Sequence, residues 1–185
     1  MLKGLTALLI FAISFSLQAQ DTLKVEAPVK KVGFTVDSTA VLTLNSTIKT
    51  LYTVLSAKKD TLRNWKQFKA LFKKDAKLIP TGKDKMGVYQ VKYLSPDDYM
   101  KKTNEWFKSN GYIIKEVHRK TNVFGNIAQV FSTFEAYHKK SDNKPFLRGI
   151  NSIQLLYDEE RWWIINVFWT QESHNNLIPK AYLPN

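Results

Sequence analysis

Cysteine is absent from this chain of 185 residues, and glycine and proline are scarce, with seven and six copies. The lack of cysteine excludes disulfides, thiolate zinc sites, iron–sulfur clusters and cysteine nucleophiles. The scarcity of glycine and proline excludes collagen-like chains and chains dominated by linkers. Acidic residues are also few, 16 against 28 lysines and arginines, which gives a formal net charge of +12. With 44% hydrophobic and 13% aromatic residues, the composition indicates a basic, globular protein of one domain.

The first twenty residues have the pattern of a signal peptide. Lys3 precedes an uncharged run from Leu5 to Leu17, which is shorter than the roughly 20 residues needed to cross a bilayer. Cleavage is expected near Ala19 or Gln20, with an uncleaved anchor or a buried helix as the alternative interpretation. The sequence therefore predicts an exported protein, periplasmic or extracellular, with no transmembrane segment in its mature part.

Basic residues are concentrated between Lys58 and Lys85, where three aspartates accompany a much larger number of lysines and one arginine. Such a segment is either the solvated outer face of a helix or a surface that attracts polyanions and anionic lipids. Lys66, Lys69 and Lys73 are the candidate residues for an anionic partner. No nucleic-acid recognition motif accompanies them, and no nucleic-acid partner is expected for an exported chain.

Three helices are predicted in the N-terminal half. The first follows an apolar stripe over 41–55, and the second runs from Asp60 or Thr61 to about Phe72 with its lysines on the outer side. The third begins at a capping box, Ser95-Pro96-Asp97-Asp98, and ends at Asn110-Gly111. Two short strands are predicted between the second and third helices, over 76–79 and 86–94.

After residue 111 the apolar period changes from about 3.6 to 2. Four strands with turn-like connections are predicted as antiparallel neighbours, over 112–121, 127–138, 145–157 and 162–170. Helices packed on one side of a strongly curved antiparallel sheet define an α+β fold, a cone with an internal cavity. The predicted organisation is a signal peptide (1–20), a lead-in segment (21–40), the domain (41–172) and a C-terminal tail (173–185).

Seven stretches carry a family resemblance: Arg63-Asn64-Trp65, Leu71-Phe72, Phe124 to Ala128, Val130 to Glu135, Arg148 to Leu155, Arg161 to Ile164, and Trp169. In these stretches, and in its element order over residues 41–172, the chain resembles the nuclear transport factor 2-like (NTF2-like) superfamily. It is most similar to secreted bacterial members of unassigned function. The resemblance implies the cone fold. It does not choose a function, because the fold serves isomerases, dehydratases, hydrolases, accessory subunits and binding modules.

Glu116 and His118 are the candidate catalytic residues. They lie two apart on one predicted strand, so their side chains would share a face and lie about 6–7 Å apart. If that face lines the cavity, His118 would act as a base that Glu116 orients. The alternative is a pair on the outer face of the sheet. Two ligands are too few for a metal site, and neither a metal nor a cofactor is predicted.

The aromatic residues form the largest feature of the sequence. An apolar pocket with a few polar groups is the usual form of a small-molecule site, although aromatic residues at such spacings are also typical of a core. Asn151 and Asn166 alternate in phase with apolar residues, so each amide would either orient a ligand or be satisfied within the core. The predicted lining of the cavity is Tyr52, Trp65, Tyr99, Trp106, Asn151, Asn166 and Phe168.

Both faces of the last strand are aromatic, since Trp163 and Trp169 alternate with Trp162 and Phe168. A sheet buried on both faces predicts a homodimer through its outer side. The leading hypothesis for function is a non-catalytic or accessory module that binds a small apolar ligand. The second is an enzyme of the isomerase, dehydratase or hydrolase type that uses the pair at positions 116 and 118. The third is an envelope-surface protein that uses the basic helix.

Overall fold

The computed structural model describes residues 33–184, so the predicted signal peptide and most of the lead-in segment lie outside the described residues. Within this range the chain forms three α-helices and six β-strands, with a short 3₁₀ helix near each end. The helices are α1 (Leu44–Leu55), α2 (Trp65–Ala70) and α3 (Pro96–Asn110), and the strands are β1 (Phe72–Lys83), β2 (Tyr89–Val91), β3 (Ile113–Phe124), β4 (Ile127–Tyr137), β5 (Leu147–Tyr157) and β6 (Trp162–Gln171). No helix of residues 33–184 is long and apolar enough to span a membrane.

The strands form a curved sheet in the order β2-β1-β6-β5-β4-β3. Strands β3 to β6 pair antiparallel with their chain neighbours, so the predicted meander is present. The sequence predicts the first strand only over 76–79, whereas β1 runs from Phe72 through Pro80 to Lys83. It pairs in parallel with β6, and the carbonyl of Pro80 accepts a hydrogen bond from the Lys92 N–H (3.2 Å). This proline therefore interrupts neither strand pairing.

The ends of α1 and α3 follow from local capping. The side chain of Thr43 accepts a hydrogen bond from the Ser46 N–H (3.0 Å), and the Ser46 hydroxyl accepts one from the Thr43 N–H in return (3.2 Å). Ser95 caps α3 in the predicted way by accepting from the Asp98 N–H (3.1 Å). Gly111 ends α3 with φ at 73°, and a Cβ there would lie 2.5 Å from the His138 carbonyl oxygen. Only glycine fits this close approach.

The second helix is shorter than predicted. Asn64 caps it in place of Asp60 or Thr61, and α2 ends at Ala70. The next residues already pair with the sheet, since the carbonyl of Leu71 accepts a hydrogen bond from the Ile164 N–H (2.9 Å). Backbone pairing with β6 therefore takes precedence over the helical spacing of the apolar residues. The prediction that the basic residues share one face of this helix is wrong for Lys73 and Lys74, which lie in β1.

The two faces of the sheet have different coverings. The helices pack on the inner face, where apolar side chains of helices and sheet form one buried core. The register places on this face Val130, Ser132, Phe134, Asn151, Ile153, Leu155, Ile164, Val167 and Trp169. The outer face carries Phe131, Thr133, Glu135, Arg148, Ser152, Gln154, Asn166 and Phe168. The C-terminal tail packs on part of the outer face, where the Thr133 hydroxyl donates to the Tyr182 carbonyl (2.6 Å).

Candidate functional site

A cavity of about 490 Å³ lies between α1, α3 and the inner face of the sheet. Its wall is mainly aliphatic and aromatic, and the polar side chains on it are Tyr52, Tyr99, Thr103, Tyr112, Asn151 and Gln171. Of the seven residues predicted to line the cavity, the structure brings four together here: Tyr52, Tyr99, Trp106 and Asn151. An apolar cavity with a few polar groups can enclose a small molecule and fix its orientation.

Trp65 does not line the cavity. Its ring packs edge-on against Phe68, with 5.2 Å between the ring centroids, and its Nε1 donates a hydrogen bond to Asn104 Oδ1 (2.7 Å). This indole therefore joins α2 to α3 at the border of the core. The spacing of the apolar residues cannot separate a side chain that faces the cavity from one that packs between two helices.

A β-bulge in β3 separates Glu116 from His118. Glu116 lies opposite Phe134, whereas His118 lies opposite Thr133, so Val117 is an extra residue in the strand. Phe134 and Thr133 point to opposite faces, and the expectation that Glu116 and His118 share a face is wrong. Glu116 lies on the inner side, and the His118 Nε2 is buried on the outer side without a hydrogen-bond partner among residues 33–184.

A second bulge, in β6, places Asn166 and Phe168 on the outer face. Gln154 lies opposite Asn166 and Leu155 lies opposite Ile164, so Ile165 is the extra residue. The expectation that Asn166 and Phe168 line the cavity is therefore corrected. Trp169 lies on the inner face in their place; its ring meets Tyr99 edge-on at 6.1 Å.

A chain of hydrogen bonds runs from the cavity along the inner face of the sheet, across β5, β4 and β3. Asn151 Nδ2 donates to the Tyr52 hydroxyl oxygen (2.9 Å), and 2.6 Å separates that oxygen from Ser132 Oγ. The Ser132 hydroxyl donates to the carboxylate of Glu116, which also receives two hydrogen bonds from Arg119. Because a carboxylate only accepts, the Ser132 hydrogen is committed to Glu116, and the Tyr52 O–H is the donor to Ser132.

Tyr52 is held as a neutral phenol. Its burial raises the pKa of the hydroxyl far above its ordinary value, and the negative charge of Glu116 adds to this effect. The hydrogen of this phenol points to Ser132, so its oxygen is an acceptor that Asn151 already occupies. The amide of Asn151 is fixed in this way, and its Oδ1 and the second hydrogen of Nδ2 are not bonded within residues 33–184.

Sequence reasoning missed Ser132, Arg119 and Tyr112 as residues of this region. Ser132 is fully buried between Val130 and Phe134 on the same face, and a small polar residue in an apolar phase is a signal that could have revealed it. Arg119 reaches Glu116 only because the bulge shifts the alternation, which no local pattern indicates. Among residues 33–184, no three His, Asp or Glu side chains are grouped as metal ligands would be.

The basic surface predicted to bind an anionic partner is partly neutralised. Lys69 pairs with Asp97 (3.1 Å) and Lys73 pairs with Asp158 (3.4 Å), so two of the three predicted lysines have acidic partners. The ammonium group of Lys73 also lies 4.7 Å above the ring of Trp163. The lysines are thus distributed over α2 and β1, with local contacts of their own.

No known protein family and no curated protein match this sequence. Solved structures do match its fold. A protein of unknown function with a cystatin-like fold from Nostoc punctiforme aligns over 72% of this chain and 96% of its own, with 10% identity and a TM-score of 0.52. A putative scytalone dehydratase from Novosphingobium aromaticivorans aligns over 76% and 89%, with 16% identity and a TM-score of 0.51.

A third solved structure has been described as a putative calcium/calmodulin-dependent protein kinase II association domain, from Xanthomonas campestris. It aligns over 71% of this chain and 86% of its own, with 15% identity and a TM-score of 0.52. Likeness at this level of identity concerns the fold and not the activity. The element order, the curved sheet and these matches confirm the expected architecture: the chain has the cone-shaped α+β fold of the NTF2-like superfamily.

Proposed function

We propose that this chain is an exported binding module, non-catalytic or accessory, whose cone holds a small and mainly apolar ligand. One observation carries the proposal: the buried amide of Asn151 is fixed by Tyr52 within a mainly apolar and aromatic cavity wall. Export is proposed from the residue pattern of the first twenty positions.

The cost of burying the amide supports a binding role. A polar group in an apolar wall lowers stability unless its hydrogen bonds are made, and only the Nδ2 of Asn151 is bonded among the described residues. A leucine at this position would fill the wall without that cost. Retaining an oriented acceptor in the cavity wall suits the recognition of one polar group on an apolar ligand.

The hypothesis of an acid–base enzyme does not gain the same support. The two residues that it requires, Glu116 and His118, lie on opposite faces of the sheet. Glu116 is also engaged by Arg119 and Ser132, so its carboxylate is a fixed acceptor within the hydrogen-bond chain. Binding without turnover is therefore the function that the cavity supports best.

A plug in the cavity tests this proposal. Thr103 lines the cavity from α3 and is only partly buried, so Thr103→Trp should fill the space without disrupting the core. The probe is N-phenyl-1-naphthylamine, a neutral fluorophore whose emission rises in apolar surroundings. We expect saturable binding to the unmodified protein, and a loss of affinity of about tenfold or more in the Thr103→Trp variant, since the probe and the new indole compete for one space.

Lys102→Trp is the matched control, because Lys102 is the preceding residue of α3 and is exposed away from the cavity. It adds the same indole to the same helix and should leave the affinity unchanged. Equal binding by both variants, or no saturable binding by the unmodified protein, would contradict a binding role for the cone.

Two predictions about partners remain predictions. A homodimer through the outer face is consistent with Phe168, which is 43% exposed on that face, although Tyr182 and Ile178 of the tail cover another part of it. The other is an anionic partner at the basic surface of Lys66, Lys69 and Lys73. No second function is proposed from it, because aspartates pair with two of its three lysines.

A further inference from the structure

A buried arginine lies behind one wall of the cavity. Arg63 is 4% exposed and forms no ion pair with a carboxylate of residues 33–184. Its Nε donates to the Leu55 carbonyl (2.9 Å), and its Nη2 donates to the carbonyls of Ala57 and Phe107 (3.4 Å each). Its Nη1 is buried without a hydrogen-bond partner in the described part of the chain.

The charge of this guanidinium is only partly compensated. Leu55 is the last residue of α1 and Phe107 lies in the last turn of α3, so their carbonyls belong to helix ends that carry partial negative charge. Burial lowers the pKa of Arg63, but an arginine side chain keeps its proton in proteins. A full positive charge balanced by carbonyl dipoles leaves a positive potential around it.

Aromatic rings lie between the Arg63 charge and the cavity. The guanidinium carbon of Arg63 lies 4.9 Å from the centroid of the Phe107 ring. That ring stacks on Tyr112, with 4.2 Å between centroids and 10° between planes, and it also contacts Tyr99 at 6.3 Å. All three rings line the cavity. Surroundings of low dielectric constant screen the charge weakly, so the field extends into the cavity.

The same wall carries two unused donors. The rings of Tyr99 and Tyr112 are more than nine-tenths buried, and neither hydroxyl is hydrogen-bonded within residues 33–184. Both hydroxyl oxygens reach open space, since neither is one of the fully buried polar atoms without a partner. The open space that both rings line is the cavity. Burial raises the pKa of both hydroxyls, so each keeps a hydrogen to donate.

None of the described residues that line the cavity is acidic. Glu116 is the carboxylate at the end of the hydrogen-bond chain, and Tyr52 and Ser132 separate it from the cavity. Arg119 neutralises its negative charge. Two donors backed by a positive charge, with no competing acid, would select an acceptor that carries negative charge.

We propose that the cone binds an apolar anion, of the carboxylate class, whose charged group accepts hydrogen bonds from Tyr99 and Tyr112 in front of Arg63. The inference rests on the proposed binding function and specifies its ligand. The apolar part of the ligand occupies the remainder of the cavity, between α1 and the inner face of the sheet.

A pair of ligands that differ only in charge tests the inference. The probes are 2-naphthoate and 2-naphthamide, which have the same rings and nearly the same shape, titrated at neutral pH by calorimetry. We expect the carboxylate to bind about tenfold or more tightly than the amide, because hydrogen bonds to a charged acceptor are the stronger ones. Tyr99→Phe and Tyr112→Phe should each weaken naphthoate by several-fold to tenfold and change naphthamide by less than about threefold.

Tyr182→Phe is the matched control, since it removes a phenol hydroxyl from the outer face and should change neither affinity. Naphthamide binding as tightly as naphthoate, or equal weakening of both ligands by the two cavity variants, would overturn the inference and leave the binding function standing. Failure of both ligands and of the neutral fluorophore would overturn the two proposals together.

Discussion

Tyr52 connects α1 to the sheet and lies between the cavity and a neighbouring groove. Its hydroxyl joins Ser132 on β4 to Asn151 on β5, so one phenol binds three elements together. The same side chain borders both the cavity and a groove of about 750 Å³ between α1 and β3, whose rim carries Lys49 and Lys58. A residue that the sequence suggests for a pocket is therefore also a main connection of the fold.

Removal of this hydroxyl should destabilise the protein. Tyr52→Phe keeps the ring, but the Asn151 amide loses its hydrogen-bond acceptor and the Ser132 oxygen loses its donor, while Ser132 still donates to Glu116. We expect the free energy of unfolding to fall by about 1–3 kcal/mol, measured by urea denaturation. Tyr157→Phe is the control: its hydroxyl donates to the Glu159 carbonyl (2.8 Å) at an exposed site, and its loss should cost no more than about 0.5 kcal/mol. Equal losses in the two variants would show that the network does not stabilise the fold.

Helix α3 shows what the sequence determines by itself. Its start at Ser95 and its end at Gly111 depend on contacts within a few residues, and both were predictable from local capping rules. The meander was predictable for the same reason, because its strands are joined by short turns. The end of α2 was not, because Leu71 leaves the helix to pair with Ile164, far along the chain.

The β-bulges explain the errors in the site. Alternation assigns a side chain to a face only while a strand stays regular, and one extra residue reverses the assignment. Val117 and Ile165 are such residues, and they depend on how each strand pairs with its neighbour. Asn166 and Phe168 lie beyond the bulge in β6 and were misplaced, whereas Asn151 lies in a regular stretch and was placed on the correct side.

Gly149 on β5 provides a test of how strands β4, β5 and β6 pack. A Cβ at this position would lie 2.4 Å from the Thr170 carbonyl oxygen and 2.9 Å from the Phe134 ring. Gly149→Ala should therefore lower the free energy of unfolding by about 1–3 kcal/mol, seen as a lower midpoint in thermal denaturation. Gly82→Ala on β1 meets no atom within 4 Å and serves as the control. An unchanged midpoint for Gly149→Ala would mean that the strands can move apart at this point.

The outer face of the sheet is shared between the C-terminal tail and open surface. Tyr182 packs on Phe131, with 5.0 Å between ring centroids, and Lys120 lies 4.7 Å above the Tyr182 ring. A second cavity, of about 390 Å³, lies between the tail and the sheet. Any pairing of two copies through this face must use the part that the tail leaves uncovered, around Phe168.

Sedimentation tests the predicted homodimer. If two copies pair through the uncovered part of the outer face, Phe168→Lys places charges at their contact and should shift the protein from dimer to monomer. Phe124→Lys is the matched control, because Phe124 is 83% exposed at the end of β3 beside the hairpin turn. A monomeric unmodified protein, or a dimer that tolerates Phe168→Lys, would contradict pairing through this face.

The parallel pairing of β1 with β6 has a consequence for the order of folding. Phe72 and Ile164 become neighbours although about half of the chain separates them, whereas each hairpin of the meander joins adjacent segments. Local hairpins close quickly, and contacts between distant segments form late. During synthesis the apolar residues of the early helices and of β1 have no sheet on which to pack. Docking of this early part onto a finished meander is the expected slow step, and it is the stage at which the emerging chain is most exposed to aggregation.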